Sequence, residues 1–303
     1  MEQDFYLIIP VFNEANNISV FLNSIKTQEK IKLKRIIFIA SGCDDNTIPI
    51  LESESKKHNE LELIIEKERT GKAQALNLGI KKVKEIQKSN FEDSIIIFSD
   101  GDTKLKNDSL EKLTSYFLDN SIKCVVGHPI SIYEKNNKKL LFRISNENFE
   151  IWNEIRKTLN EKDKVWPISG YLFATRLSCI YNYEFSKRIA EDACLGIFIL
   201  DNHNKMKYSE DALVLVKPPN NFSDYIKQKK RTRIGWLQIK SSHPKLFNDL
   251  NKLKRLVLLK RILSGYYLSL ISFLLDWLIL LMAKSSFNNW DKYIIWEPID
   301  STK

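Results

Sequence analysis

Cysteine and histidine are scarce, four of each in 303 residues, and neither set clusters. Cys43, Cys124, Cys179 and Cys194 form no C-x-x-C pair, and His58, His128, His203 and His243 stand apart. This argues against a zinc site or a disulfide framework and makes reduced thiols the expectation. The opening stretch, MEQDFYLIIPVFNE, has acids where a secretory leader carries a basic n-region, and only a short apolar run. Internal repeats and low-complexity linkers are absent too. What is present suffices for a sizeable core: 43% of residues are hydrophobic, and the 28% that are charged suit a soluble body. The length fits one large domain, or one domain with an appendage.

The net charge of +9 is uneven. Residues 227–261 hold twelve Lys or Arg and one acid, Asp249, and so carry +11; the remainder carries −2. Basicity this local points to an anionic surface or ligand met by that segment.

Hydrophobic periodicity alternates between strand and helix. FYLIIPVF (5–12), KRIIFIAS (34–41), LELIIEKE (61–68) and SIIIFSD (94–100) read as strands, and CVVGHPISIY (124–133) as a further one. Between them lie helices with inward sets Ile18, Phe21, Leu22, Ile25 and Ala75, Leu76, Gly79, Ile80, Val83, and another is expected after Asp45 or Asn46. Helices are also expected over 140–160, with Leu141, Ile144, Phe149, Trp152 and Ile155 as the apolar set, and over 189–200; DALVLVKPP reads as a short strand. The order predicts an α/β fold, a Rossmann-like, mostly parallel sheet flanked by helices on both faces. Ligands of such sheets bind beyond the carboxyl ends of the strands.

Asp100 and Asp102 fall at such an end, separated only by Gly101. Paired carboxylates there suit hard Mg²⁺ or Mn²⁺, which take one or two carboxylates and complete their shell with phosphate and water. A plain Asp-Gly turn, with capping by Asp108 or Ser109, accounts for the same spacing. Lys72 stands at a helix N-terminus, where it opposes the macrodipole. An anion bound there would explain it, and so would a solvated surface position. Asn13 and Glu14 read as an N-cap and a first-turn acid, Glu191 and Asp192 as first-turn acids, and Gly170 as a turn glycine.

Six segments occur in a fixed order: PVFNE (10–14), ASGCDDNT (40–47), GKAQALNLG (71–79), SDGD (99–102), EDACL (191–195) and QKKR (228–231). Together they resemble the inverting nucleotide-sugar glycosyltransferases of family 2, with the GT-A fold, over roughly residues 5–236. The resemblance implies a metal ligand at Asp102, with Asp100 nearer the ribose, and a catalytic base at Asp192. It implies donor contacts from Pro10, Asn13, Glu14, Ser41, Asp45, Lys72, Asp100, Gln228 and Arg231. Gly170 and Glu191 fall on the acceptor side. Two departures stand out. Ser41 occupies a place where the family often carries a base-reading aspartate, with Asp45 keeping the later acid. Thr232 stands where processive synthases carry Trp after Q-x-x-R, which argues against a chain-extending synthase.

The C-terminal part differs from the rest. Leu263 to Ala283 is 21 residues with one charge, Asp276, long enough for a bilayer. A mid-segment aspartate in lipid costs about 2.5–3.5 kcal/mol. The alternative is a helix in the headgroup plane, with Lys252, Lys254, Arg255, Lys260 and Arg261 on anionic lipid; a soluble core helix is a third reading. Similar enzymes keep a tail like WEPIDSTK with the catalytic body, which favours the interfacial arrangement. The expected organisation is therefore a catalytic domain over 1–236 and a helical membrane-associated tail over 237–303. Residues 252–284 would hold the protein on the cytoplasmic face of the membrane. The expected partners are a nucleotide-diphosphate sugar, a lipid-linked or glycan acceptor and a membrane surface. Nucleotidyl transfer is disfavoured because PVFNEANN lacks a basic loop after the first strand. Nucleic-acid binding is disfavoured because only Trp236 and Phe247 interleave with the basic run.

Overall fold

The structure, a computed structural model, describes residues 3–87, 91–132, 140–295 and 299–302. Tyr133 of the expected fifth strand and Trp296, Glu297, Pro298 and Lys303 of the closing segment lie outside these.

The first half alternates strand and helix: β1 (Asp4–Val11), α1 (Ala15–Lys26), β2 (Leu33–Ser41), α2 (Thr47–Ser55), β3 (Leu61–Glu66), α3 (Lys72–Ile86) and β4 (Ser94–Ser99). These strands pair in parallel in the order β3-β2-β1-β4. Their side chains alternate between two covered faces. Leu7, Ile9, Phe38 and Ile97 pack with Ile18, Phe21, Leu22 and Ile25 of α1. Tyr6, Ile8, Ile37, Ile39, Ile96 and Phe98 pack with Ala75, Leu76, Ile80 and Val83 of α3. Covering on both faces is why these strands read as continuous apolar runs.

The second half continues with β5 (Thr103–Leu105), α4 (Ser109–Thr114), β6 (Ile122–Ser131), α5 (Leu140–Asn160), β7 (Leu172–Arg176), α6 (Leu177–Ile180), α7 (Glu191–Asp201) and β8 (Lys205–Val216). The sheet extends as β4-β7-β6-β8-β5. β7 runs antiparallel to both β4 and β6, and β5 antiparallel to β8, so the sheet is mixed and parallel in its first half. Neither β5 nor the reversed direction of β7 was expected from the sequence.

Three α-helices follow, α8 (Phe222–Ser242), α9 (Pro244–Leu263) and α10 (Tyr267–Ser286), and then two short 3-10 helices, Phe287–Tyr293 and Asp300–Thr302. The expected domain boundary at residue 236 falls within α8. The long apolar stretch is broken at residues 264–266, and α10 packs on α5, α8 and α9. Among the described residues one helix, starting at Tyr267, is long and apolar enough to cross a membrane. Its inward line is Ser269, Ser272, Asp276, Ile279 and Ala283, all buried. Its outward line is Leu270, Phe273, Leu274, Trp277, Leu278, Leu281 and Met282, all exposed.

Asp276 therefore points into protein. It accepts hydrogen bonds from Arg233 of α8 and from Lys254 Nζ of α9, the latter at 2.7 Å. Two basic residues expected on lipid are corrected by the same packing. Lys254 serves Asp276, and Arg261 forks onto Glu147 of α5, with Nε to Oε1 at 2.7 Å and Nη2 to Oε2 at 2.8 Å, while also pairing with Glu154. Both are buried, whereas Lys252, Arg255 and Lys260 are exposed. The closing residues return to the body. The Ser301 amide donates to Asp224 Oδ2 at 3.1 Å, and Asn17 Nδ2 of α1 donates to the Thr302 carbonyl at 3.1 Å.

Candidate active site

Two cavities open at the carboxyl ends of the first four strands. The smaller, about 160 Å³, is lined by Pro10, Phe12, Glu14, Ser41, Arg69 and Asp102, with Ile299 and Thr302 of the closing segment. The larger, about 220 Å³, lies between α5, α7, α8 and the segment that leads into β7; Gly170, Glu191, Asp192 and Arg231 are in its wall. They share Lys72, Asp100, Tyr171 and Gln228.

At this junction Lys72 Nζ donates to Asp100 Oδ1 at 2.5 Å and stands 3.6 Å from Glu191 Oε1. Burial opposes its charge, but the two acids outweigh that and hold the ammonium above the ordinary lysine range. The anions that answer the unfavourable helix-end position are thus, in the first place, the chain's own carboxylates. Asp192 Oδ1 accepts from the Ala193 amide at 2.7 Å. Burial pushes the Asp192 carboxyl above the usual range, and Asp100 adds to this, against the pull of Lys72 and of the Ala193 and Gly170 amides. Glu191 is pushed up by burial and by Asp192. A carboxylate raised in this way is a better proton acceptor near neutral pH than an exposed one.

The absence of a side chain matters at two points. A Cβ on Gly101 would lie 2.5 Å from Val11 Cγ1, so only glycine lets the turn between Asp100 and Asp102 press on β1. A Cβ on Gly170 would lie 3.1 Å from Asp192 Oδ2 and 3.3 Å from Lys72 Nζ, so its missing side chain keeps the space in front of both charges open.

Asp102 lines the smaller cavity and Asp100 both, and one Asp100 oxygen is taken by Lys72. Among the described residues no three acids, histidines or cysteines gather as a metal cage. Asp100 and Asp102 supply two carboxylates to the wall of the smaller cavity, a number that suits a divalent cation whose shell substrate phosphate and water complete.

Comparison with known proteins agrees with this architecture. The model described as "Glycosyl transferase family 2" matches residues 6–182, and "Glycosyl transferase family group 2" matches 95–297. The chain belongs to glycosyl transferase family 2. Glycosyltransferase AglE of Haloferax volcanii is 33% identical over 123 residues, 40% of this chain and 38% of AglE. Poly-beta-1,6-N-acetyl-D-glucosamine synthase of Staphylococcus epidermidis is 26% identical over 246 residues, 80% of this chain and 55% of the synthase. The chain thus spans about half or less of the length of these relatives. The mannosyltransferase PcManGT from Pyrobaculum calidifontis, solved with GDP-Man and Mn²⁺, aligns over 97% of this chain and 86% of its own, with a TM-score of 0.62 at 16% identity. Staphylococcus aureus TarS with UDP-GlcNAc aligns over 77% and 66%, with a TM-score of 0.52 at 16% identity. The fold is GT-A.

In this family 2 chain the structure gathers most, not all, of the motif residues. Asp45 ties helix starts together: Oδ2 accepts from the Ala15 amide at 3.1 Å and Oδ1 from the Thr47 amide at 2.9 Å, and it lines neither cavity. Asn13, at a φ of 54°, is occupied by Asp44 through its side-chain amide and carbonyl and also lines neither. Glu14 does line the smaller cavity, held by Asn17 Nδ2 at 2.7 Å. Ser41 is buried beside it with no hydrogen-bond partner for its hydroxyl among the described residues. Arg231 donates through Nε to the Tyr293 carbonyl at 3.1 Å, and burial lowers its pKa to about 9.

Several lining residues escaped the sequence reading. Arg69 lays its guanidinium 3.5 Å from the centre of the Phe12 ring. Tyr171 faces both acids of the turn, and burial together with Asp102 and Asp100 drives its hydroxyl well above the usual range. Trp152 stacks on Trp236 at 5.6 Å in the wall of the larger cavity. The position of Arg69, two residues before the GKAQALNLG segment, was the only sequence signal for any of them.

Proposed function

We propose that this chain is a metal-dependent inverting glycosyltransferase. It moves a sugar from a nucleotide-diphosphate donor to a hydroxyl of a lipid-linked or membrane-proximal glycan. The junction of the two cavities carries the reading: two adjoining spaces meet at one lysine and three carboxylates. The smaller cavity takes the nucleotide, against Pro10, Glu14, Ser41 and the Phe12–Arg69 pair. The diphosphate comes to rest by Asp100, Asp102, Gln228 and Arg231. Asp102 and Asp100 would hold Mg²⁺ or Mn²⁺, which offsets the charge on the departing diphosphate. Support for a divalent cation comes also from PcManGT, solved with Mn²⁺.

Asp192 faces the acceptor across the space that Gly170 leaves open. The acceptor oxygen forms its bond to the anomeric carbon as the bond to the diphosphate oxygen breaks, and its proton passes to Asp192. One displacement inverts the anomeric centre. A base so placed contributes roughly 10²–10⁴-fold. Lys72 joins the halves, since it holds Asp100 on the donor side and Glu191 on the acceptor side.

Residues 1–236, joined by Ile299 and Thr302 of the returning tail, act as the catalytic part, and α9 and α10 as the part that meets the membrane. The outward line of α10 is an exposed apolar face, and Leu256, Leu259 and Leu263 of α9 and Tyr266 and Tyr267 are exposed as well. Exposed Lys252, Arg255 and Lys260 flank it. Such a face suits a helix lying in the headgroup plane on the cytoplasmic side. The return of residues 299–302 to α1 and α8 supports this over a single crossing.

The test is donor binding. UDP-, GDP- and dTDP-sugars are screened by thermal shift with and without Mn²⁺. At 100-fold its dissociation constant the true donor adds about 2.7 kcal/mol. Asp102→Ala should remove the metal-dependent part and leave the fold intact. No stabilisation by any donor, or equal affinity in Asp102→Ala, would overturn the reading.

A further inference from the structure

The larger cavity holds a charge that the transfer reaction does not use. Lys229 lines its wall from α8. Among the described residues it makes no hydrogen bond and no ion pair; its ammonium lies 5.6 Å from the centre of the Tyr225 ring. The charged groups around it come from three helices: Arg233 on its own, Lys254 on α9 and Asp276 on α10. Asp276 is already committed, since Arg233 and Lys254 both donate to its Oδ2. Three cations thus share one carboxylate, and Lys229 is the one left over.

A half-buried ammonium beside two other cations is unfavourable, and a methionine of similar length would fill the place at less cost. Burial, reinforced by Arg233 and Lys254, lowers its pKa to about 8, so it still carries its charge at neutral pH. A cation held at such a cost in a cavity wall is matched to an anion that arrives with a ligand. The nearby wall describes the rest of that ligand. Phe149, stacked Trp152 and Trp236, Pro218 and Pro219 are apolar or aromatic. Asn148, in the same wall, bonds Ser272 of α10 at 3.1 Å, and the opposite side of α10 is the exposed apolar face.

We propose that the acceptor is a phosphorylated lipid whose phosphate seats against Lys229. This rests on the larger cavity being the acceptor side of the proposed transferase. It narrows the lipid-linked acceptor to one in which a phosphate joins the apolar chain to the glycan whose hydroxyl faces Asp192.

Trp152 and Trp236 report on this wall, so binding can be followed by intrinsic fluorescence on the full chain. Dodecyl phosphate, inorganic phosphate and dodecyl maltoside are compared, each below its micellar concentration where it has one, on the parent, Lys229→Met and Lys229→Arg. Dodecyl phosphate should bind the parent and Lys229→Arg, and about 10-fold or more weaker to Lys229→Met, the loss expected for one charge-assisted contact. Dodecyl maltoside should not distinguish the variants. Affinity for dodecyl phosphate should also fall as the pH is raised through about 8. Lys229→Met should melt no lower than the parent, which separates lost binding from lost fold. Equal dodecyl phosphate affinity in Lys229→Met and the parent overturns the proposal. Inorganic phosphate binding as tightly as dodecyl phosphate overturns its lipid part. Nucleotide binding in the smaller cavity is measured in parallel; its failure in the parent would count against the transferase reading, not against the phosphate site.

Discussion

Asp276→Ala is the sharpest test of how α10 sits. In the structure the carboxylate is buried between Arg233 and Lys254, with Lys229 also within its field. Removing it leaves three cations facing one another without a counter-charge. Deleting one partner of a buried pair costs about 3–5 kcal/mol, a large share of the 5–15 kcal/mol that typically holds a protein together. At about 2–4 °C per kcal/mol for a chain of this size, the melting temperature should fall by about 6–20 °C. The readout is a thermal melt followed by tryptophan fluorescence, repeated in mild detergent so that the apolar face does not aggregate. Asp276→Ala with Arg233→Met should recover part of the loss, since one stranded cation leaves with the acid. If α10 instead crossed a bilayer with Asp276 in lipid, removing the charge would help insertion. A melting temperature that is unchanged or higher would refute the packing.

Three further outcomes follow from the junction. Gly170→Ala should lower turnover by about 10-fold or more with donor affinity kept, because its methyl intrudes on Asp192 and Lys72 at 3.1 and 3.3 Å, and misplacement near reacting groups is costly; unchanged turnover would show that the space is not used. Removing residues 299–303 should weaken nucleotide binding several-fold, as Ile299 and Thr302 line the smaller cavity; equal affinity in a titration would show the segment to be a bystander. Asp192→Asn should remain folded and be at least as stable at pH 7, with its advantage growing upward from about pH 4. The sign follows from an acid whose folded pKa is raised: the native state holds the extra proton and loses stability as pH rises.

The parallel half of the sheet was legible because its strands are buried on both faces and read as unbroken apolar runs, as in SIIIFS. β5 has only three residues, too few for a pattern, and nothing local in LFATR marks β7 as antiparallel. The site divides similarly. Lys72, Asp100, Asp102 and Asp192 were visible as motifs, and the structure places them on the two cavities that meet at Lys72 and Asp100. Asp45 and Asn13, equally visible, turned out to hold helix starts and a turn. Trp152 looked like one more core residue of an amphipathic helix, yet it lines a cavity; Lys229 looked like one of twelve basic residues in a run expected to meet an anionic surface or ligand. Asp276 appeared out of place in an apolar stretch because its partners lie 43 and 22 residues away in sequence. Long-range pairing of this kind has no local signature.

The central claim is that Asp192 takes the acceptor's proton while Asp100, Asp102 and Lys72 hold the donor. Its most direct test sets turnover against donor affinity in Asp192→Asn, with Glu191→Gln as the control from the same helix end. The expected result is donor affinity within about twofold of the parent and transfer reduced by about 10²-fold or more in Asp192→Asn alone. Equal, small losses in both variants would contradict the claim and leave Asp192 as a helix-end acid.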